Sequence, residues 1–446
     1  MKYNYNILLL NKSQLLFISI FISILMENLP NKSSSALKEI FRYFDSPIHS
    51  INDINKVFFS YSCPFFTNVS QYYPKEGNEF VKIFPYFRNL VHNIDILFPN
   101  KGIETLKTKE NKSIRLTRKH TALVFLLSFF DLIKVNNSNK KNYFNVSNIL
   151  FNNCDSAFNF GLCFLNYLIV IGKWLSQNNP ILDEEITFMR RNINNINYLE
   201  QKNEVKLCEL IYYNKGSLFD GNASYCVDFA NKYIGGGVLN GGCVQEEILF
   251  AAEPEAIVSL FFMEVMDSCD AIGIFNTIQY SKYKGYGYNF TYDGCLIDGI
   301  TPIKKHRIIA IDAISRSSYN FFSFRNDKEM KNSIIRDIHK AYVGFSLSDS
   351  LQNIPKIIAT GNWGCGAFNG NHELKFIQQW IAASFAGIKR LDYYSFGDEK
   401  MQKVEKYYTI IKEKFKNAKN LYDALLMISN LNENYIDNLL NLNINY

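Results

Sequence analysis

The sequence predicts a two-part chain, a helical region followed by a layered α/β domain whose sheet is largely buried. Three observations carry this. Between Ser33 and about Glu200 the apolar residues recur mainly at helical spacing, whereas beyond Glu200 short β-like runs alternate with longer helical segments. Two glycine-rich stretches also stand where a candidate strand gives way to a candidate helix.

The chain opens on an apolar segment, residues 1–32, in which 7-ILLLNKSQLLFISIFISIL-25 reads as a secretory signal, a membrane anchor, or sequence translated upstream of a later start at Met26. Asn11, Lys12, Ser13 and Gln14 interrupt it, and the uninterrupted part from Leu15 to Leu25 is short for a span. Residues 33–200 are expected to form a helical accessory domain, with helices at 36-ALKEIFRYF-44, 120-HTALVFLLSFFDLIK-134 and 160-FGLCFLNYLIVIGKWL-175. Residues 201–446 are expected to form the α/β domain. Its strands are 207–213, 271–275, 307–313, 356–360 and 391–396, and its helices 254–266, 327–345, 373–387 and 399–415. Pro254 stands at a favoured first-turn position, and no internal repeat is present.

Composition narrows the function classes. A chain of 446 residues, 47% hydrophobic, can bury a large core. The formal charge of +6 is spread without the Lys/Arg blocks of sequence-specific nucleic-acid arms, and is compatible with an acidic or phosphate-bearing ligand. Nine cysteines without a Cys-x-x-Cys spacing, and six histidines that form no paired set, argue against structural zinc and a disulfide framework and for a reducing compartment. The abundant asparagine, as in 192-NINNIN-197, reads as a composition bias.

The chemistry concentrates in 235-GGGVLNGG-242 and the helical segment 245-QEEILFAAEPEAI-257 behind it. Glycine lets a backbone approach a phosphate, and carboxylates suit a helix start. Glu246 and Glu247 alone could serve only that helix start, but Asp228 and Asn231 precede the glycines, and 359-ATGNWGCGAFNGN-371 forms a second loop of the same kind. Together the two loops suggest two walls of one phosphate-holding cleft.

The order 227-VDFAN-231, 235-GGG-237, 245-QEE-247 and 359-ATGNWGCGAF-368, supported by 279-QYSKYKGY-286, 309-IAIDA-313 and 395-SFGD-398, resembles the catalytic domain of eukaryotic, long-form poly(ADP-ribose) glycohydrolases. The likeness runs from about Leu207 to Asp398 and is weaker at 160-FGLCFLNY-167 and 184-EEITFMRRN-192. It implies a three-layer α/β/α macrodomain behind a helical domain, hydrolysis of ribose–ribose O-glycosidic bonds, and no cofactor or metal. The implied partners are poly(ADP-ribose) and ADP-ribosylated proteins, without sequence-specific nucleic-acid binding, and with membrane contact only if residues 7–25 are an anchor. The implied setting is the DNA damage response in the nucleus or cytoplasm.

The resemblance also assigns roles. Glu247 would protonate the leaving ribose oxygen and then activate water, Glu246 would hydrogen-bond the ribose hydroxyls, and Asp228 would complete the catalytic set. Asn231 and Gln245 would contact substrate, while the backbone of Gly235, Gly236 and Gly237 and of Asn362, Trp363, Gly364, Cys365, Gly366 and Ala367 would surround the diphosphate and its ribose. Tyr286 would close over the ligand and Phe396 would lie at the adenine. The chain departs from the family at 216-GSLFDGN-222: Phe219, next to Leu218 as a further substrate contact, falls where an acidic residue usually helps read adenine, so either Phe219 stacks or Asp220 serves after a one-residue shift. Rival readings are a non-catalytic macrodomain, a hydrolase of mono-ADP-ribosylated protein, and a secreted interaction protein. The last draws on the N-terminus and on sequons such as Asn222-Ala223-Ser224, which an asparagine-rich chain produces by chance.

Overall fold

The computed structural model describes residues 35–98, 103–133, 145–201, 204–219, 221–315, 327–428 and 434–443. The apolar 7–25 segment and Asp220 lie outside the described residues. In chain order the strands are β1 (Lys112–Thr117), β2 (Glu185–Asn192), β3 (Glu209–Tyr213), β4 (Tyr225–Ala230), β5 (Asp270–Ile278), β6 (Ser281–Lys284), β7 (Thr291–Cys295), β8 (Lys305–Asp312), β9 (Ile357–Gly361) and β10 (Arg390–Tyr394). Eight of them form one sheet in the order β1-β2-β5-β8-β4-β9-β10-β3, and β6 pairs with β7 in a separate hairpin.

From β8 through β4, β9 and β10 to β3 the pairing is parallel, whereas β5, β2 and β1 extend the other edge antiparallel. A parallel block must be covered on both faces, and β8 shows how the sequence does it. Ile308 and Ala310 point into a core shared with the helical half, and Ile309 and Ile311 into a core shared with the helices Asp327–Phe345 and His372–Phe385. Alternation along one apolar strand therefore feeds two cores.

All five predicted strands are present. The structure adds β1, β2, β4, β6 and β7, and the first two come from the stretch read as wholly helical. β2 alternates polar and apolar residues and gains its place by pairing with β5, Thr187 opposite Phe275 through Asn192 opposite Asp270. The predicted helix 254–266 is instead a 3-10 segment, Pro254–Phe261, separated from the helix Gln245–Ala252 by Glu253. Pro254 lacks an N–H to continue the α-helical ladder, and all eight residues of the tighter segment are buried.

The two halves are bolted together by a buried ion pair. Arg118, at the start of the helix Arg118–Phe129, places its Nε 3.0 Å from Glu255 Oε1 with both side chains fully buried. Glu255 also accepts hydrogen bonds from the Tyr280 hydroxyl at 2.7 Å and the Ile278 amide at 3.0 Å. Burial holds the Glu255 carboxyl up at about 7, against the pull of Arg118. The helix Asp155–Ser176 is long and apolar enough to cross a membrane, yet 78% of its apolar window is buried inside the protein, as a core helix requires.

Candidate active site

The candidate residues gather at the C-terminal ends of the parallel strands, where open α/β sheets place their ligands. Asp228 lies on β4, fully buried. The pairing of β4 with β9 stops at Cys226 opposite Ala359, and Gln245 replaces the missing strand. Its Oε1 accepts from the Phe229 amide at 2.8 Å and its Nε2 donates to the Val227 carbonyl at 3.1 Å. Gln245, expected to contact substrate, has both ends of its amide committed to the strand that carries Asp228.

Glu246 and Glu247 follow in the first turn of the helix Gln245–Ala252 and turn back onto the glycine loop. Glu246 Oε2 accepts from the Asn231 amide at 2.8 Å and Oε1 from the Gly235 amide at 2.7 Å. Glu247 Oε1 accepts from the Gly237 amide at 2.8 Å, and Oε2 from the Val244 amide just before the helix at 3.0 Å. The Gly236 amide donates to the Tyr233 carbonyl at 3.1 Å. All three amides of the triplet are therefore engaged within the protein, which corrects the expectation that they surround the diphosphate. Gly236 is glycine because the protein's own carboxylates press against it, and a Cβ on Gly235 would instead stand 2.6 Å from Leu260 Cδ1. A Cβ on Gly236, at φ +51°, would stand 2.4 Å from Glu247 Oε1 and 2.6 Å from Glu246 Oε2.

Three carboxyl groups thus share one small buried volume. Neither oxygen of Asp228 has a hydrogen-bond partner among the described residues. Burial, and then the charge of Glu247, hold the Asp228 carboxyl well above the usual carboxylate range. Glu246 is raised for the same reasons, burial first and then its two acidic neighbours, which outweigh its backbone donors. Asp228 and Glu246 therefore hold their protons to higher pH than separate, solvated carboxylates do.

The second glycine stretch behaves differently. Trp363 is fully buried and donates from Nε1 to the Ile311 carbonyl at 2.9 Å, and Cys365 is buried with its thiol pushed up to about 12 by burial, so neither side chain faces a ligand. Asn362 is tied to the Ser395 carbonyl at 3.1 Å and to the Tyr393 hydroxyl at 3.1 Å. Beneath the loop, Lys375 pairs with Asp337 and lies 4.9 Å from the Trp363 ring centroid. The amides of Gly364, Gly366 and Ala367 have no hydrogen-bond partner among the described residues, and a Cβ on Gly366 would meet nothing within 4 Å. This is the wall with amides to offer an anion.

Tyr286 and Phe396, the two aromatics expected at the ligand, are both partly exposed. Tyr286 is 59% exposed, with its hydroxyl beside the Gln245 backbone, and its phenol is raised by burial and by Glu247. Phe396 is 49% exposed at φ +57°, a backbone region that bulky residues rarely adopt, and its ring reaches within 3.0 Å of where a Gly361 Cβ would stand. Phe229, which the sequence reading passed over although it lies inside 227-VDFAN-231, approaches the same spot at 3.5 Å. Asn231 accepts at Oδ1 from the Tyr233 amide at 3.0 Å. The expectation that Phe219 stacks on adenine is not met. Its ring lies 5.7 Å from that of His306 and is only 9% exposed, and Leu218 is 1% exposed, so both belong to the core.

A family model described as the helical domain of poly(ADP-ribose) glycohydrolase matches residues 74–190, and one described as the macro domain fold of the same enzyme matches residues 196–403. The chain belongs to the poly(ADP-ribose) glycohydrolase family. A probable poly(ADP-ribose) glycohydrolase 2 of Arabidopsis thaliana is 28% identical over 352 residues, 68% of this chain and 66% of that protein. Poly(ADP-ribose) glycohydrolase 1 of the same plant is 32% identical over 272 residues, 46% of this chain and 49% of that one. Poly(ADP-ribose) glycohydrolase 1 of Caenorhabditis elegans is 34% identical over 252 residues, 53% of this chain and 31% of that one. The chain thus spans between about a third and two thirds of the length of these relatives. A solved poly(ADP-ribose) glycohydrolase from Deinococcus radiodurans is similar at a TM-score of 0.34 and 11% identity, over 50% of this chain and 95% of that one. The helical domain and macro domain fold of the family agree with the two-part architecture read from the sequence.

Proposed function

We propose that the protein hydrolyses the ribose–ribose O-glycosidic bonds of poly(ADP-ribose) and releases ADP-ribose. The observation that carries this reading is the convergence of Glu246 and Glu247 on Gly236, over the buried, proton-retaining Asp228, in a chain of this family. Cleaving an acetal needs a proton on the departing oxygen and negative charge near the anomeric carbon. Glu247, fixed by the Gly237 and Val244 amides, gives its proton to the leaving ribose oxygen as the C1–O bond breaks. It then takes a proton from the water that attacks C1. Glu246 keeps its place through Asn231 and Gly235 and has lone pairs left for ribose hydroxyls.

Asp228 is too deeply buried to touch substrate, so its part is to hold a proton beside the two glutamates. The free amides at Gly364, Gly366 and Ala367 receive the diphosphate, and Tyr286 and Phe396 offer ring faces for the adenosine. We further place the protein in the nucleus or cytoplasm, acting on ADP-ribosylated proteins in the DNA damage response. All nine cysteines are free thiols, which suits such a reducing compartment. The test is incubation of the purified chain with labelled poly(ADP-ribose) and, separately, with a singly ADP-ribosylated protein. Free ADP-ribose from the polymer supports the reading. Release only from the singly modified protein would reassign the substrate, and tight ADP-ribose binding without release would make the domain a reader.

A further inference from the structure

The glycine loop does not stand alone against the sheet, because its far end is held by the helical half. After the triplet the chain turns through Asn240, Gly241 and Gly242, closed by bonds from the Asn240 and Gly242 amides to the Gly237 carbonyl at 2.8 and 3.0 Å. Onto this turn the first turn of the helix Asp155–Ser176 and the segment ahead of it deliver one donor each. Asn152 Nδ2 donates to the Asn240 carbonyl at 3.1 Å, and the buried Ser156 hydroxyl donates to the Gly241 carbonyl at 3.0 Å. Asn152 is itself set by its Oδ1, which accepts from the Cys154 amide at 3.1 Å. The approach is close enough to require the missing side chain. Gly241 has φ +80°, and a Cβ there would stand 2.6 Å from Cys154 Sγ and 3.2 Å from Asn152 Nδ2.

We propose that Asn152 and Ser156 are positioning residues for Glu247, by which the helical half sets the geometry of the acid. The chain of contacts is short. The clasped turn ends in Gly242, where a Cβ would lie 3.1 Å from the Gly237 Cα and 3.2 Å from Glu247 Oε1. Gly237 provides one of the two amides that fix the Glu247 carboxylate, and Val244, two residues past the turn, provides the other. Both donors therefore take their positions from a turn whose exposed carbonyls are pinned by the other half of the molecule. Asn152 and Ser156 bond to the carbonyls of the turn and not to the carboxylates, so their effect is expected on the chemical step and not on binding.

The inference rests on the hydrolase reading, and the experiment separates the two. The full chain is compared with Ser156→Ala, Asn152→Ala and Ser156→Thr. Turnover of poly(ADP-ribose) is expected to fall about three- to tenfold in each alanine variant, the effect of one lost hydrogen bond, with KM and the ADP-ribose Kd within about twofold. Ser156→Thr keeps the hydroxyl and is expected to retain most of the parental rate. Hydrogen exchange supplies a readout independent of catalysis: the amides of Gly237 and Val244 should exchange faster in the alanine variants while those of β5 stay protected. Unchanged exchange at Gly237 and Val244, or faster exchange throughout the protein, overturns the proposal. So does an unchanged kcat in an active parent. A parent without hydrolysis overturns the functional reading instead, and the exchange result then decides the clasp.

Discussion

Replacing Gly236 with alanine perturbs both glutamates through a single methyl group. At φ +51° an L-residue costs about 1–2 kcal/mol of backbone strain. The new Cβ would also stand 2.4 Å from Glu247 Oε1 and 2.6 Å from Glu246 Oε2, and each oxygen must retreat by roughly 1 Å to reach ordinary contact. Those oxygens are held by the Gly237 and Asn231 amides, so retreat breaks or stretches the bonds that aim them. A displacement of that size at a reacting group costs on the order of 10²-fold in rate. Gly387→Ala isolates the strain, since Gly387 has φ +66° with nothing within 4 Å of its Cβ position. Both variants should lose comparable stability from the backbone, measured as Tm, while only Gly236→Ala should lose turnover, measured as kcat for ADP-ribose release. If Gly236→Ala keeps more than about a third of the parental kcat, the triplet does not serve to seat the carboxylates and the argument for the motif fails.

Three further outcomes follow from the same geometry. Glu247→Gln should abolish hydrolysis and leave ADP-ribose binding within about tenfold, roughly 1.4 kcal/mol, because the amide keeps the shape but cannot cycle a proton; calorimetric titration alongside the rate assay checks it. Asp228→Asn should raise Tm at pH 7–8 while lowering turnover. The folded state holds the Asp228 proton above the ordinary pKa of the unfolded chain, so that carboxyl's stabilising contribution is fully present below the unfolded value and is lost as pH rises toward the folded one. The gap between variant and parent should therefore close toward pH 4, and a gap that does not vary with pH would contradict the burial account. Tyr286→Ala should weaken ADP-ribose binding by about 1–3 kcal/mol and Tyr286→Phe by about 0.5–1.5 kcal/mol, with equal affinities of the alanine variant and parent making Tyr286 a packed loop residue.

The parts legible in the sequence were those whose cause is local. β8 and β9 are short apolar runs bounded by turns, and the helices Asp327–Phe345 and His372–Phe385 carry their own periodicity. The cluster Asp228, Glu246 and Glu247 sits within twenty residues, so its members could be named together, and Tyr286 and Phe396 were placed by their motifs. What the sequence hid depends on partners far along the chain. β1 and β2 are strands because β5 offers an edge, and Gln245 is structural because β9 stops short of Phe229. The purpose of the two glycine loops was reversed in part, since only the folded loop shows that the amides of Gly235 and Gly237 face carboxylates while those of Gly364, Gly366 and Ala367 have no partner among the described residues. Stacking by Phe219 was one of two alternatives at its motif position, and its apolar ring is drawn into the core against His306.

The central claim is that Glu247, seated on the glycine loop, is the acid that cleaves the ribose–ribose bond. It is tested most directly by a single-turnover reaction of excess protein with labelled poly(ADP-ribose), run side by side for the parent and Glu247→Gln with the product identified by mass. The account predicts a burst of ADP-ribose from the parent and none from the variant, although both retain the polymer on a filter. Release of ADP-ribose by Glu247→Gln at a rate near the parent's would contradict it.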